Sequence, residues 1–370
     1  MGLLDYYRQF EGLSEEEVNA GLRAEAAERK RKALTRLETL DLSHTTWPEL
    51  PHPRIVNSIT FVARRGLQRY PHLKGTDLRD ELAERHGVDP SRLILGNGAG
   101  ELLAAAARAA MEPGHQLLTP WPSYPLFPIM ARRAHGRAVS ITGGVDELLD
   151  AAAHDPAVRV IAIASPNDPT GELVGAAELE RLLKGLPPDV VVLLDEALVD
   201  FVEAQPRHAS LDLLETYPRL LVFRSFSKAW GLAGLRVGYA VGAPGATELL
   251  AELEPDLGVS EVSQAGAYEA LHSCSDLIEQ RVHAIWEERP YVTAGLRERG
   301  FDVSDSQANF VWAAHPQLDG SELAARLEQS GILVAPGAAL GEPHHARIAL
   351  RSRRASDRLL RAVDKALEGS

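Results

Sequence analysis

The sequence predicts an α/β protein in which a mostly parallel sheet lies between layers of helices. Short apolar runs without polar alternation, which are typical of strands buried on both faces, recur from about residue 90. Helical patterns alternate with these runs, and that order of elements favours a parallel sheet. The chain has 370 residues, 45% hydrophobic and 25% charged, so it is long enough for two domains, or for one large domain with an appendage.

The first 50 residues are predicted to form a helical arm ahead of the main domain. Ser14 followed by Glu17 is a capping-box pattern, and acidic residues precede basic ones up to about residue 38, which suits one long helix. The basic run 29–32 is interpreted as a solvated helix end. Prolines then interrupt regular structure, namely Pro48, Pro51 and Pro53.

Residues 51–250 are predicted to form a large domain that holds the sheet. Its strands are the apolar runs Leu93–Leu95, Gln116–Leu118, Val158–Ala164, Val190–Leu194, Leu220–Phe223 and Val237–Val241. Beyond about residue 250 the pattern changes to helices followed by short strands, at Ser263–Leu271, Leu277–Arg299, Ala308–Trp312, Ile332–Val334 and Ile348–Leu350. Residues 251–370 are therefore predicted to form a smaller α+β domain.

Composition and charge exclude several classes of protein. The chain carries 39 basic and 52 acidic side chains, a net charge of −13, so no overall field draws it to nucleic acid or anionic lipid. Cys274 is the only cysteine, which excludes an intramolecular disulfide, and no metal site is predicted. The chain is expected to be cytoplasmic, because it shows neither an export signal nor a long uninterrupted apolar stretch.

Polar clusters follow four of the predicted strands, at 96–98, 165–171, 195–197 and 225–228. Each is commonly structural when it occurs alone, but ligands of parallel sheets bind outside the carboxyl ends of the strands, so the four clusters should converge on one site. A glycine-lined helix start, two serine hydroxyls and Arg236 could surround a dianionic phosphate. An acid and a lysine remain for a ligand larger than phosphate.

Three of these motifs resemble the signature of class I and II aminotransferases, in the pyridoxal-phosphate fold-type I superfamily. The motifs are Pro166–Gly171, Asp195-Glu196-Ala197 and Ser225–Tyr239. The resemblance is closest to the histidinol-phosphate aminotransferase and threonine-phosphate decarboxylase branch and extends from about Tyr70 to Leu350. It implies an aspartate-aminotransferase-like fold with a seven-stranded, mostly parallel sheet, a homodimer, and pyridoxal 5'-phosphate as the cofactor.

The resemblance also implies a role for each site residue. Lys228 would form a Schiff base with the cofactor aldehyde and then move a proton, and Asp195 would keep the pyridine nitrogen protonated. The cofactor would further be held by Gly98, Ala99, Gly100, Tyr124, Asn167, Asp168, Ser225, Ser227, Arg236 and, from a second subunit, Tyr70. Asn309 and Arg347 match positions that hold the substrate α-carboxylate.

Three positions depart from the family pattern. Asp168 stands where many members have asparagine, so either Asn167 or Asp168 could approach the 3'-oxygen of the cofactor. Leu198 replaces a tyrosine that would donate a hydrogen bond to the same oxygen. Ala335 stands where histidinol-phosphate enzymes have an arginine, which argues against a phosphorylated substrate.

The predicted function is the transfer of an amino group between an amino acid or amine and a 2-oxo acid. One alternative keeps the cofactor but breaks the bond from Cα to the carboxylate, as in threonine-phosphate decarboxylase. Another is a non-catalytic regulator that binds the cofactor as a ligand. Carbon dioxide release, measured against keto-acid formation, would distinguish the first alternative from transamination.

Overall fold

The structure is a computed structural model that describes residues 39–368. The helix predicted between Ser14 and about residue 38, with its basic run, therefore lies outside the described residues. The α-helices are α1 Pro53–Gly66, α2 Thr76–His86, α3 Ala99–Ala110, α4 Leu126–Arg133, α5 Val145–His154, α6 Ala176–Gly185, α7 Ala209–Asp212, α8 Thr247–Ala251, α9 Glu261–Arg297, α10 Gly320–Gln329 and α11 Arg353–Glu368.

The strands begin near the start of the described chain and end near residue 350. They are β1 Leu40–Asp41, β2 Leu93–Gly96, β3 Gln116–Pro120, β4 Arg137–Ile141, β5 Val158–Ala164, β6 Val191–Asp195, β7 Leu220–Ser225, β8 Gly238–Gly242, β9 Asp302–Val303, β10 Phe310–Ala314, β11 Ile332–Leu333, β12 Ala335–Pro336 and β13 His345–Ala349. Short 3₁₀ turns lie at Pro90–Arg92, Val199–Phe201, Leu213–Glu215, Ala233–Leu235 and Gly337–Leu340.

A seven-stranded sheet in the order β2-β8-β7-β6-β5-β3-β4 confirms the predicted, mostly parallel architecture. Only β8 runs against its neighbours, pairing antiparallel with both β2 and β7. Because two reversals restore the direction, β2 points the same way as β5, β6 and β7. The carboxyl ends of these strands consequently meet at one edge of the sheet, which is also where β8 begins.

Both faces of this sheet are buried, as the apolar runs predict. In β5, Val160 and Ala162 pack with α3 and α4, whereas Ile161 and Ile163 belong to the core on the opposite face. All four side chains are at most 1% exposed. Successive side chains of a strand point to opposite faces, so a strand covered on both sides needs apolar residues at every position.

The edge strand β4 was not among the apolar runs that the sequence analysis identified. Its five residues are exposed or only partly buried, and it pairs with β3 alone. A strand that is partly exposed to solvent at the edge of a sheet carries polar residues, so Arg137–Ile141 has no continuous apolar run.

The C-terminal part of the chain forms a second sheet in the order β12-β13-β10-β9. Its pairings are antiparallel. Near it, β1 pairs in parallel with β11, and Leu42 continues this contact through hydrogen bonds of 2.8 Å to Leu333 and 2.9 Å from Ala349. Residues 40–42, predicted to be part of an arm, are thus joined to the C-terminal region.

The two helices predicted after residue 260 form one long element, α9, which is interrupted at Cys274. The backbone of Cys274 has φ −128° and ψ 15°, which is not helical, so the two predicted segments lie on either side of this kink. The helix packs against α1 and α2 as well as against β9 and β10. Because α9 contacts elements of both predicted domains, the boundary near residue 250 stays a prediction.

Candidate active site

A cavity of about 240 Å³ lies at the edge of the seven-stranded sheet where β5, β6 and β7 end. It brings together residues from three of the four predicted polar clusters, and the fourth, at 96–98, lies just before the lining residues Ala99 and Gly100. The residues that line it are Thr46, Ala99, Gly100, Tyr124, Ala164, Pro166, Asp168, Asp195, Ala197, Leu198, Ser225, Ser227, Lys228, Ala233 and Arg236. This lining agrees with the predicted convergence at the carboxyl ends of the strands, while the role of each residue stays a prediction.

Lys228 lies in this cavity, three residues after the end of β7. Burial lowers the pKa of its amine, and the positive charge of Arg347 lowers it further, whereas Asp168 and Asp195 oppose the shift. A lysine must lose its proton before its nitrogen can act as a nucleophile. The surroundings of Lys228 shift its amine toward the neutral form that such chemistry needs.

Thr45 contacts Lys228 directly and was missed by sequence reasoning. Its Oγ1 accepts a short hydrogen bond from Nζ of Lys228, and its side chain is among the buried polar groups, 4% exposed. The carbonyl oxygen of Thr45 accepts a hydrogen bond of 2.8 Å from Nδ2 of Asn309. Because no motif surrounds Thr45, only the pairing of β1 with β11 reveals that this segment reaches the site.

Asp195 ends β6 and places a buried carboxylate in the cavity. It is 6% exposed, and its Oδ1 accepts a 3.0 Å hydrogen bond from the N–H of Ala197. Burial raises the pKa of Asp195 to about 6, although this hydrogen bond and the charge of Lys228 act in the opposite direction. A cation placed beside the carboxylate would restore its ionised form, which is what a protonated ring nitrogen provides.

A glycine turn and two serines form a concave region at one end of the cavity. Gly98 has φ +87° and caps the start of α3, where free N–H groups and the helix dipole favour an anion. A Cβ at position 98 would collide with the guanidinium of Arg236. The hydroxyl of Ser225 donates to Oγ of Ser227 at 2.8 Å. This set of donors and its shape fit a phosphate group.

Gly238 holds the two sides of this region together at the start of β8. It pairs with Gly96 on one side and with Ser225 on the other. A Cβ on Gly238 would collide with backbone atoms of Gly98 and Ala99. The absence of a side chain therefore lets the helix start approach the serine-bearing strand closely.

Tyr124 supplies an aromatic wall of the cavity. Its ring packs edge-to-face against Phe127, with 5.7 Å between the ring centroids. Burial raises the pKa of the Tyr124 hydroxyl, and the charges of Asp195 and Asp168 raise it further. An aromatic ring in this position fits the predicted stacking on a planar cofactor.

The structure distinguishes Asn167 from Asp168, which the sequence left open. The amide of Asn167 is engaged by other groups of the protein: it donates to Thr170 Oγ1 at 2.9 Å in its own loop and to Pro122 O at 3.0 Å after β3, and it accepts from Ser123 Oγ at 2.7 Å. Asp168 instead lines the cavity. Of the two residues, Asp168 is therefore the one placed to approach a ligand in this cavity.

Arg347 in β13 and Asn309 just before β10 are not among the residues that line the cavity, but Arg347 bonds to the lining residue Asp168. Nη1 of Arg347 donates a short hydrogen bond to Oδ1 of Asp168, and Nη2 donates to Ser43 O at 3.1 Å. Asn309 is completely buried, and its Oδ1 has no hydrogen-bond partner within the described residues. That either residue binds a substrate carboxylate stays a prediction.

The remaining predicted positions are Leu198, Ala335 and Tyr70, and only Leu198 lines the cavity. Leu198 lines the cavity and is 3% exposed, so an apolar wall stands where a tyrosine was expected. Ala335 pairs with Arg347 between β12 and β13. The position where histidinol-phosphate enzymes have an arginine therefore lies directly beside Arg347, and here it holds an alanine. Tyr70 lies outside the cavity and is 84% exposed.

These residues fit pyridoxal phosphate in most respects. The glycine turn with its serines suits the phosphate, the buried Asp195 suits a protonated ring nitrogen, and Lys228 suits the aldehyde. Asp168 is the exception, because a carboxylate beside a phenolic oxygen has no hydrogen to donate unless it is protonated.

Comparisons with known proteins agree with this geometry. Residues 39–364 match the family described as aminotransferase class I and II. An aromatic amino acid aminotransferase from Streptomyces avermitilis is 34% identical over 328 residues, 88% of this chain and 89% of that protein. Histidinol-phosphate aminotransferase 2 from Pseudomonas fluorescens is 34% identical over 305 residues, 81% of this chain and 82% of that protein.

A solved structure is similar over nearly the whole chain. The histidinol-phosphate aminotransferase from Sinorhizobium meliloti, in complex with pyridoxal-5'-phosphate, superimposes with a TM-score of 0.80 and 25% sequence identity. The match covers 93% of this chain and 94% of that one. Among residues 39–368, no helix combines the length and the apolar character needed to cross a membrane.

Proposed function

Because the chain belongs to the class I and II aminotransferases, we propose that it moves an amino group between an amino acid or primary amine and a 2-oxo acid. The family match confirms the resemblance, the aspartate-aminotransferase-like fold and pyridoxal phosphate as the cofactor. One observation carries the assignment to this cavity: Lys228, with its lowered pKa, lines it together with the buried Asp195 and with Ala99 and Gly100 at the start of α3.

The proposed roles follow from what surrounds each group. When bound, pyridoxal phosphate supplies an electron-accepting ring that stabilises negative charge on the substrate carbon. Nζ of Lys228 would bind the aldehyde and, once released, move a proton to and from that carbon. The carboxylate of Asp195 would hold a proton on the ring nitrogen, and the N–H groups of Ala99 and Gly100 would hold the phosphate beside Arg236.

We also propose that the enzyme acts as a homodimer. Large apolar side chains are exposed on α1 and the segment after it: Phe61 is 58% exposed, Leu67 75%, Tyr70 84% and Leu73 55%. Large apolar side chains exposed this close together along the chain are typical of protein interfaces. It supports the prediction that Tyr70 reaches the phosphate of a neighbouring subunit, and light scattering of the purified protein would measure the dimer.

We further propose a cytoplasmic location, which the single buried cysteine supports.

A spectroscopic donor screen tests the proposed function. The purified protein, loaded with pyridoxal phosphate, is mixed with individual amino acids and amines, and conversion of the cofactor to its pyridoxamine form is followed by absorbance. We expect conversion with at least one donor, and recovery of the original spectrum when a 2-oxo acid is added. Carbon dioxide release without keto-acid formation would instead indicate a decarboxylase.

A further inference from the structure

Arg347, which is predicted to bind the substrate carboxylate, already pairs with a carboxylate of this chain. Its Nη1 donates to Oδ1 of Asp168, and the two side chains are only 13% and 16% exposed. Nη2 donates to the carbonyl oxygen of Ser43, and Nε is buried without a hydrogen-bond partner in the described structure. A second carboxylate that approached this guanidinium would have to displace Asp168 or lie beside it.

The backbone on both sides of Asp168 is held in place. The N–H of Asn167 donates to Glu172 O, and the N–H of Gly171 donates to Asn167 O, each at 2.7 Å. The amide side chain of Asn167 adds a bond to Thr170 within the loop and a bond to Pro122 in the segment after β3. The Asp168 carboxylate is therefore presented to Arg347 by a fixed loop.

Charge makes the competition unfavourable for an incoming carboxylate. Asp168 and Asp195 line the same cavity as Lys228, and Asp168 pairs with Arg347, so an incoming carboxylate would join two carboxylates of the protein. Like charges brought together in a partly buried site repel each other strongly. A neutral asparagine at position 168 would keep the shape of the side chain but lack this repulsion.

We propose that Asp168 is an internal carboxylate that competes with substrate carboxylates for Arg347, so that the site favours amino donors without a carboxylate on the reacting carbon. Primary amines and amino alcohols belong to this class, and they enter the cavity with the Asp168–Arg347 pair closed. Amino acids must open the pair and bind more weakly. This inference rests on the proposed function, because it names the donor class of the same site.

The test measures binding of a carboxylate that cannot react. The probe is 3-phenylpropanoate, its uncharged counterpart is 3-phenylpropanamide, and binding to the full-length protein is measured by calorimetry with and without pyridoxal phosphate. Asp168→Asn should bind the carboxylate at least tenfold more tightly than the wild type, about 1.4 kcal/mol, and bind the amide equally well. Equal affinity of both proteins for the carboxylate would overturn the proposal.

A matched control removes a carboxylate from the same loop. Glu172 is exposed and does not line the cavity, so Glu172→Gln changes the net charge as Asp168→Asn does but should leave carboxylate binding unchanged. The same tightening in both variants would mean that overall charge, and not competition at Arg347, sets the affinity. If Asp168→Asn does not fold, as judged by circular dichroism, Asp168→Ser gives the same test.

Donor kinetics separate this inference from the proposed function. With 2-phenylethylamine and phenylalanine as donors, Asp168→Asn should raise the kcat/KM of phenylalanine relative to the amine at least tenfold, through KM. An active transaminase whose donor preference does not change overturns the inference alone. Tighter binding of 3-phenylpropanoate by a protein that transaminates no donor would support competition at Arg347 and overturn the proposed function.

Discussion

Replacement of Asp195 by asparagine should stabilise the cofactor-free protein against unfolding and nearly abolish turnover by the protein loaded with pyridoxal phosphate. Asp195 is 6% exposed, and burial raises its pKa from the ordinary value of 3.8 to about 6. The ionised carboxylate thus loses more hydration free energy on burial than its hydrogen bond to Ala197 and the charge of Lys228 restore. An asparagine has a similar shape and is neutral at every pH, so it avoids this cost.

The size and the pH range of the effect follow from that shift. A carboxyl group whose pKa rises on folding contributes stability that is fully present below pH 3.8 and is lost as the pH passes through about 6. The full shift corresponds to about 3 kcal/mol, of which about half applies at pH 5 and nearly all at pH 7. The variant should therefore gain on the wild type as the pH rises.

Urea unfolding of the two cofactor-free proteins, followed by circular dichroism from pH 5 to pH 8, measures this difference. Added pyridoxal phosphate should stabilise the wild type more than Asp195→Asn, because only a carboxylate pairs with the protonated ring nitrogen. Turnover should fall by orders of magnitude. A difference in stability that does not vary with pH would refute the electrostatic argument, and a loss of turnover below about tenfold, 1.4 kcal/mol, would exclude Asp195 as the ring-nitrogen partner.

Three further substitutions test other parts of the site. Lys228→Ala should remove both the Schiff-base absorbance and turnover while far-UV circular dichroism is unchanged, and retained transamination would contradict its assignment. Thr45→Val removes the hydroxyl that accepts from Lys228 and should shift the pH profile of kcat, whereas Thr46→Val, at the neighbouring lining position, should shift it less. Gly98→Ala places a methyl group against the Arg236 guanidinium and should weaken pyridoxal phosphate binding at least tenfold in an equilibrium titration, with no such loss for Gly114→Ala, where space is open.

Much of the large sheet could be predicted because its strands are buried on both faces. A run such as Val160–Ala164 has apolar residues at every position, and the polar residues that follow it mark the carboxyl end of the strand. The local sequence therefore predicts both the strand and the position of its carboxyl end at the site. The edge strand β4 lacks this signal because solvent replaces one layer of its packing.

The relations between distant segments could not be predicted in the same way. The contact of Thr45 with Lys228 joins residues 183 positions apart, and the pair of Arg347 with Asp168 joins residues 179 apart. Neither contact has a local pattern, since each depends on how one sheet sits against the other. The aspartate at position 168 was visible in the sequence, but the partner of its charge was not.

The parallel pairing of β1 with β11 has a consequence for how the site responds to motion. This pairing, with the bonds of Leu42, anchors residues 40–42 to the C-terminal region, and the residues that follow directly supply the Ser43 carbonyl to Arg347 and the Thr45 hydroxyl to Lys228. A displacement of the C-terminal region therefore acts on both groups through one piece of backbone. The nucleophile and the guanidinium are mechanically coupled, so a change that loosens this strand pairing alters the availability of both at once.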